Sequence, residues 1–214
     1  MWLKRRPNLP KPLHQVRATV IKLILASQSP RRKEILGGLL EGTGYTFTIQ
    51  PAHVDETPLK RETPLAYVQR IAKAKALHVA AQNPGSVVIA ADTPVIIGRR
   101  ILQSPSTVEE ARAMLKLTSN RRVHAPTAVV VVDAHGKAHA KLNENWIKFG
   151  TLSLADIDTY LANPANWKGI AGAIQVENHF MASRISAIHG SYSGILGLPL
   201  YETCLLLQRA GLKL

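Results

Sequence analysis

The chain has 214 residues, enough for one domain or two small ones sharing a core, with an interior that needs no disulfide staples. A single cysteine, Cys204, excludes an internal disulfide and any multi-cysteine metal site, and 46% apolar with 19% charged residues excludes a disordered polyelectrolyte. Lys and Arg number 27 against 14 Asp and Glu, a formal +13 that favours polyanionic partners: nucleic acid, anionic lipid or phosphorylated small molecules.

Residues 1–19 are basic, carry Pro7, Pro10 and Pro12, and show no periodicity, so they read as a mobile N-terminal extension ahead of a domain over 20–214. Lys4, Arg5, Arg6, Lys11 and Arg17 lie here, so part of the charge excess is a tail. Lys22 interrupts the only candidate signal-peptide core, and the prolines oppose the amphipathic helix of a transit peptide. No apolar run approaches the roughly 18 residues that span a bilayer. A cytoplasmic protein without membrane contact is the expectation.

From residue 20 a β-branched run, VIKLILAS, predicts a buried strand ending in a loop. Pro30 suits a first helical turn with Ser29 as N-cap, and Ile35, Leu36, Leu39 and Leu40 continue with helical spacing. Residues 45–49 alternate like a half-buried strand, 64–82 read as a helix, and 86–91 as a second buried strand ending at Asp92. A helix over 107–117 opens with a Thr107/Glu110 capping box. Residues 128–132 and 138–149 predict long antiparallel strands joined across 133–136. A helix over 153–161 opens with a Ser153/Asp156 box, 171–176 and 180–187 predict strands, and 198–207 a closing helix. Strands and helices interleave, so the class is α/β around a mixed sheet.

Neither a G-x-x-x-x-G-K-[ST] loop nor a G-x-G-x-x-G loop is present. Gly190–Gly194 misses the nucleophile elbow because Tyr192 stands at the serine position. His135 and His139 beside Asp133 read as a hairpin tip rather than a metal site. At 26–32, a strand end feeds a hydroxyl-rich loop and a helix start, so backbone N–H groups, Ser27, Ser29, Arg31 and Arg32 could converge on an anion outside a strand C-terminus, or form a simple cap with solvated arginines. Asp55-Glu56 and Asp92 supply carboxylates that, beside a phosphate, suit Mg²⁺ and could orient a water; a solvated turn is the competing reading for Asp55-Glu56. Lys75 adds a cation on a helix that otherwise packs inward.

The segments SQSPRR (27–32), VDETP (54–58), YVQRIAKAKA (67–76), AADT (90–93), IQ (174–175) and GSYSGILGLPLYET (190–203) stand in an order that resembles the Maf family of nucleoside triphosphate pyrophosphatases, over about 22–207. The resemblance implies an elongated mixed β-sheet flanked by helices, with two lobes around a phosphate-binding cleft. It also implies Mg²⁺- or Mn²⁺-dependent cleavage of a nucleoside triphosphate to the monophosphate and pyrophosphate, by a protein that forms a homodimer. Position by position, Asp92 matches the catalytic acid that accepts the proton of the attacking water, and Glu56, with Asp92, the metal-associated carboxylates. Ser27, Ser29, Arg31 and Arg32 match the triphosphate loop, and Lys75 the lysine of the K-A pair. Arg31, Thr93 and Gln175 match the branch acting on dTTP and UTP, where an amide such as Gln175 can pair with the imide edge of uracil or thymine. The chain departs from the family pattern at Ser104, where lysine is usual, at Gly172, where tyrosine is usual, and at Val176, Asn145 and Pro94; Arg99, Arg100 or the leader are candidates to replace the lost lysine charge. Those departures leave open a catalytically weakened nucleotide-binding protein. A basic nucleic-acid-binding protein is a third alternative, opposed by only 5% aromatic residues and no reader motif.

Overall fold

A computed structural model describes residues 21–214; the extension expected at 1–19 lies outside the described residues. In chain order the elements are β1 (Leu23–Leu25), α1 (Pro30–Leu40), β2 (Phe47–Ile49), α2 (Pro64–Gln82), β3 (Val87–Asp92), β4 (Val95–Ile97), β5 (Arg100–Leu102), α3 (Val108–Thr118), β6 (Arg122–His124), β7 (Thr127–Val132), β8 (Ala138–Asn143), β9 (Trp146–Phe149), α4 (Leu154–Leu161), α5 (His179–Ala182), β10 (Ile185–His189), α6 (Tyr192–Ile195) and α7 (Leu200–Arg209).

The mixed α/β expectation holds, and the elongated sheet is divided into two five-stranded sheets, ordered β2-β1-β3-β7-β8 and β10-β9-β6-β4-β5. In the first, β2, β1 and β3 run parallel while β7 and β8 are antiparallel additions. Its central strands are continuous aliphatic runs because both faces are covered. Leu23, Leu25, Val87, Ile89, Val129 and Val131 pack with Leu36 of α1 and Leu206 and Leu207 of α7. The alternate residues, Ile24, Val88, Ala90 and Val130, meet Val68, Ala72, Ala76 and Val79 of α2. Each such fully buried Val, Leu or Ile contributes roughly 1.5–3 kcal/mol of transfer free energy. The second sheet is wholly antiparallel. It packs Val95, Leu102, Val123, Ile147 and Phe149 against Leu115 of α3 and Ile157, Tyr160 and Leu161 of α4.

The helix signals transfer closely. Ser29 Oγ accepts the Arg32 N–H and Thr63 Oγ1 that of Ala66, each with proline opening the helix. The Ser153/Asp156 box is reciprocal. The Thr107/Glu110 box is only half formed: Thr107 Oγ1 accepts from Glu110 N at 3.2 Å, but the Glu110 carboxylate takes the Ser106 N–H at 2.7 Å.

Three strand expectations need correction. Residues 171–176 hold a 3₁₀ turn, because Gly172 (φ 63°) and Ala173 (φ 59°) are both left-handed and cannot continue a strand. Residues 180–187 are divided between α5 and β10, since Asn178 caps a short helix first. The long strand over 138–149 is β8 and β9 in different sheets. They part at Asn145, whose buried amide donates to Ala125 O (3.0 Å) and accepts from Ser191 N (2.7 Å). The hairpin tip is a turn as expected: Asp133 accepts the His135 and Lys137 N–H groups and bonds His139 Nε2. Among the described residues no helix is long and apolar enough to cross a membrane.

Candidate functional site

Parallel neighbours β1 and β3 end at the same edge, with Leu25 opposite Ile89, so the residues that follow each strand emerge together. Ser27, Asp92 and the first turn of α1 meet there, at one wall of a cleft of about 900 Å³ between the two sheets. Ser27 Oγ accepts the Ser29 N–H at 3.2 Å, folding the loop over the strand end.

Asp92 is buried, and its Oδ1 lies 2.9 Å from the Lys75 ammonium on α2. The same ammonium lies 3.0 Å from Glu56 Oε1. Glu56 comes from an irregular loop that α2 holds in place. Tyr67 Oη donates to Glu56 O at 3.0 Å, and Arg70 donates to both Glu62 oxygens (2.6 and 2.7 Å) and to Thr57 O (3.1 Å). The bidentate Arg70 contact holds the Glu62 carboxyl down at about 2. Burial, foremost, pushes the Tyr67 phenol up. Two carboxylates from different elements thus converge on the Lys75 ammonium. That donor set suits a hard divalent ion that keeps water and takes phosphate oxygens for its other ligands. Among the described residues no group of three or more His, Cys, Asp or Glu forms a self-sufficient metal cage.

Arg32 is spread over three neutral acceptors: Nε to Gly197 O (2.8 Å), Nη1 to Ser27 Oγ (3.3 Å) and Nη2 to Thr93 Oγ1 (3.3 Å). Burial pulls its pKa below the usual arginine value, and Asp92 opposes that. Thr93 Oγ1 also lies 2.8 Å from Thr127 Oγ1, which donates its one proton to Gly194 O at 2.7 Å. Thr93 must therefore donate to Thr127 and accept from Arg32, giving a one-way relay from guanidinium to carbonyl. Register explains the threonine contact, because Asp92 pairs with Ala128 across β3 and β7. Gly197 (φ 109°) is required here: a Cβ would sit 3.1 Å from Arg32 Nε.

Arg31 reaches the other sheet's lobe. Its Nη1 donates to Glu177 Oε1 (3.0 Å) and Oε2 (3.2 Å), spanning the cleft mouth. Glu177 lies two residues after Gln175, which lines the cleft and whose N–H donates to Tyr160 Oη at 3.1 Å. Tyr160 Oη donates in turn to Asn166 O (2.6 Å), and burial pushes its pKa up to about 12. The structure brings together Ser27, Ser29, Arg31, Arg32, Glu56, Lys75, Asp92, Thr93 and Gln175, which all line one cleft, whereas Asp55 is exposed outside it and accepts the Thr57 N–H at 2.9 Å, the solvated-turn reading.

The departures have physical readings. Ser104 lines the cleft, and so does Lys168, a cation the motif reading did not assign; Arg99 and Arg100 lie on the exposed β4–β5 hairpin instead. Gly172 leaves no room for a larger residue, since a Cβ would come within 2.8 Å of Val95 Cγ1. Glu177 was also missed. An isolated acid 146 positions from its partner carries no local signal.

The profile of the Maf-like protein family matches residues 22–210. A dTTP/UTP pyrophosphatase of Sphingopyxis alaskensis is 42% identical over 194 residues, covering 90% of this chain and 98% of the relative. A dTTP/UTP pyrophosphatase of Caulobacter vibrioides is 41% identical over 192 residues, covering 89% and 96%. Among solved structures, a HAM1 protein from Coxiella burnetii aligns with 88% of this chain and 99% of its own at a TM-score of 0.51 and 16% identity, a likeness of fold. The profile match runs from the residue before β1 through the last helix, across every element that builds the cleft, and the chain belongs to the Maf family.

Proposed function

We propose that the chain hydrolyses dTTP and UTP to the nucleoside monophosphate and pyrophosphate. The observation that carries the reading is the meeting of Asp92, Lys75 and Glu56 beside the Ser27–Arg32 loop, in the cleft where Gln175 also lies. In this family, with curated relatives named dTTP/UTP pyrophosphatase, that grouping supports a site for one nucleoside triphosphate.

Each residue then has a role. Asp92 orients a water for attack at the α-phosphorus and accepts its proton; the α–β anhydride bond breaks, and its electron pair leaves with pyrophosphate. Lys75 keeps Asp92 and Glu56 directed at one point and balances their charge. Arg32, Ser27, Ser29 and the N–H groups opening α1 face the triphosphate. Thr93 fixes Arg32, and the Gln175 amide pairs with the imide edge of the base. Asp92 and Glu56 would hold Mg²⁺ or Mn²⁺, which when bound neutralises phosphate charge and lowers the pKa of its water. The family resemblance also supports a homodimer, which light scattering on the purified chain checks.

Incubation with Mg²⁺ and each of dTTP, UTP, CTP, ATP and GTP should release pyrophosphate from dTTP and UTP, and Asp92→Asn should abolish it. Orthophosphate as the sole product would refute the reading. Nucleotide binding without turnover would favour a weakened binding protein, the reading that Ser104 and Gly172 favour, and Ser104→Lys would then be the restoring change.

A further inference from the structure

Arg31 and Glu177 stand out because the pair joins the two walls of the cleft. Arg31 lies in the first turn of α1, above the first sheet; Glu177 follows Val176, which belongs to the second sheet's core. Both side chains remain about a third exposed, at 32% and 29%. A triphosphate carries up to four negative charges, and an arginine already neutralised by a carboxylate offers it little net attraction. The same arginine keeps directional N–H donors, which is what an uncharged base can use.

The bond pattern sharpens this. Both hydrogen bonds to Glu177 leave from Nη1, so among the described residues the Nε and Nη2 hydrogens make none. The pair also sits beside the base-facing segment. Gln175 is two residues before Glu177, its N–H is anchored on Tyr160, and Glu177 raises while Arg31 lowers the pKa of the Tyr160 phenol.

We propose that Glu177 is a specificity-positioning residue: its carboxylate holds the Arg31 guanidinium on the base side of the cleft, beside Gln175, so that the remaining N–H groups address a pyrimidine carbonyl. Uracil and thymine carry a C4 carbonyl where cytosine carries an amino group. A guanidinium has donors only, so it accepts the first and leaves a donor facing a donor with the second. Without the carboxylate, Arg31 is drawn to the triphosphate, gaining charge contact that all nucleotides share and losing the contact that separates them. The inference rests on the nucleotide reading of the site.

The test compares parent, Glu177→Gln and Glu177→Ala. Calorimetry measures binding of the non-hydrolysable α,β-imido analogues of dUTP and dCTP, and turnover of dTTP and dCTP is followed in parallel. Glu177→Gln should cut the preference for the uracil analogue by about tenfold, with the cytosine analogue bound as well as or better than by the parent. A parallel loss for both analogues, with the ratio unchanged, would reduce Glu177 to a structural tie and overturn the proposal. A parent chain that binds the analogues but yields no pyrophosphate refutes the hydrolase reading, while the ratio still decides the role of Glu177. A parent that binds neither analogue overturns both.

Discussion

Arg32→Lys separates two roles that one arginine could have. A residue that only faced a triphosphate would tolerate lysine in the absence of ligand, because charge is retained. Here the guanidinium spends three different nitrogens on Gly197 O, Ser27 Oγ and Thr93 Oγ1. A single ammonium on a differently shaped stem cannot reproduce that fork and reaches at most one of the three. Two hydrogen bonds from a charged donor are lost; because two of the three contacts are long and the side chain is only half-buried, each counts at about 1–1.5 kcal/mol, together about 2–3 kcal/mol. For a chain of this size each kcal/mol moves the midpoint by about 2–4 °C, so thermal unfolding should shift down by about 4–12 °C. Scanning calorimetry of parent and variant without nucleotide is the assay. A shift below about 2 °C would show that the relay through Thr93 and Thr127 contributes nothing to the ligand-free fold, and the reasoning would be wrong.

Two further outcomes follow from the groups around the cleft. Arg70→Gln removes the bidentate partner that holds the Glu62 carboxyl at about 2; with a folded pKa below the unfolded one, this group's contribution to stability is present above about pH 4.5 and lost as pH falls toward 2. Carboxyl NMR of the variant should find Glu62 back near its ordinary value, and turnover should fall several-fold because the loop carrying Glu56 is released; an unmoved Glu62 resonance would contradict the clamp. Tyr160 titrates near 12 in the fold, so the unfolded chain gives up this proton first and stability should decline between about pH 10 and 12. Tyr160→Phe should flatten that decline in alkaline denaturation while lowering stability at neutral pH, since Asn166 O and Gln175 N–H lose their partner.

Much of the cleft was legible because its residues stand at punctuation marks. Asp92 closes an aliphatic run, Ser29 precedes a proline and a helix, and Glu56 sits among turn formers; each position carries a local physical signature as well as a family motif. The long elements were equally plain, α2 being bounded by Thr63-Pro64 and Asn83. What failed to read through was of two kinds. Strands of three residues such as β4, β5 and β6 are too short to show a period. Left-handed backbone at Ala173 is invisible in an aliphatic stretch that has the composition of a strand. The Arg31–Glu177 and Arg32–Thr93 contacts are tertiary, joining positions whose proximity no spacing rule encodes.

The chain passes from one sheet to the other at Thr93-Pro94, at Ala125 and at Glu144-Asn145. The last two are cross-linked in both directions: Ala125 N donates to Asn145 O at 2.8 Å, and the Asn145 amide donates to Ala125 O. Thr93 and Thr127 couple the first crossing to the strand that follows the second. Segments laced together in this way resist sliding past one another, so a relative displacement of the two sheets would take the form of a bend at these crossings and not of shear between layers. Asp92 ends the strand that feeds the first crossing, while Arg31 reaches across to Glu177 on the far wall, so such a bend would strain the Arg31–Glu177 contact before it disturbed Asp92.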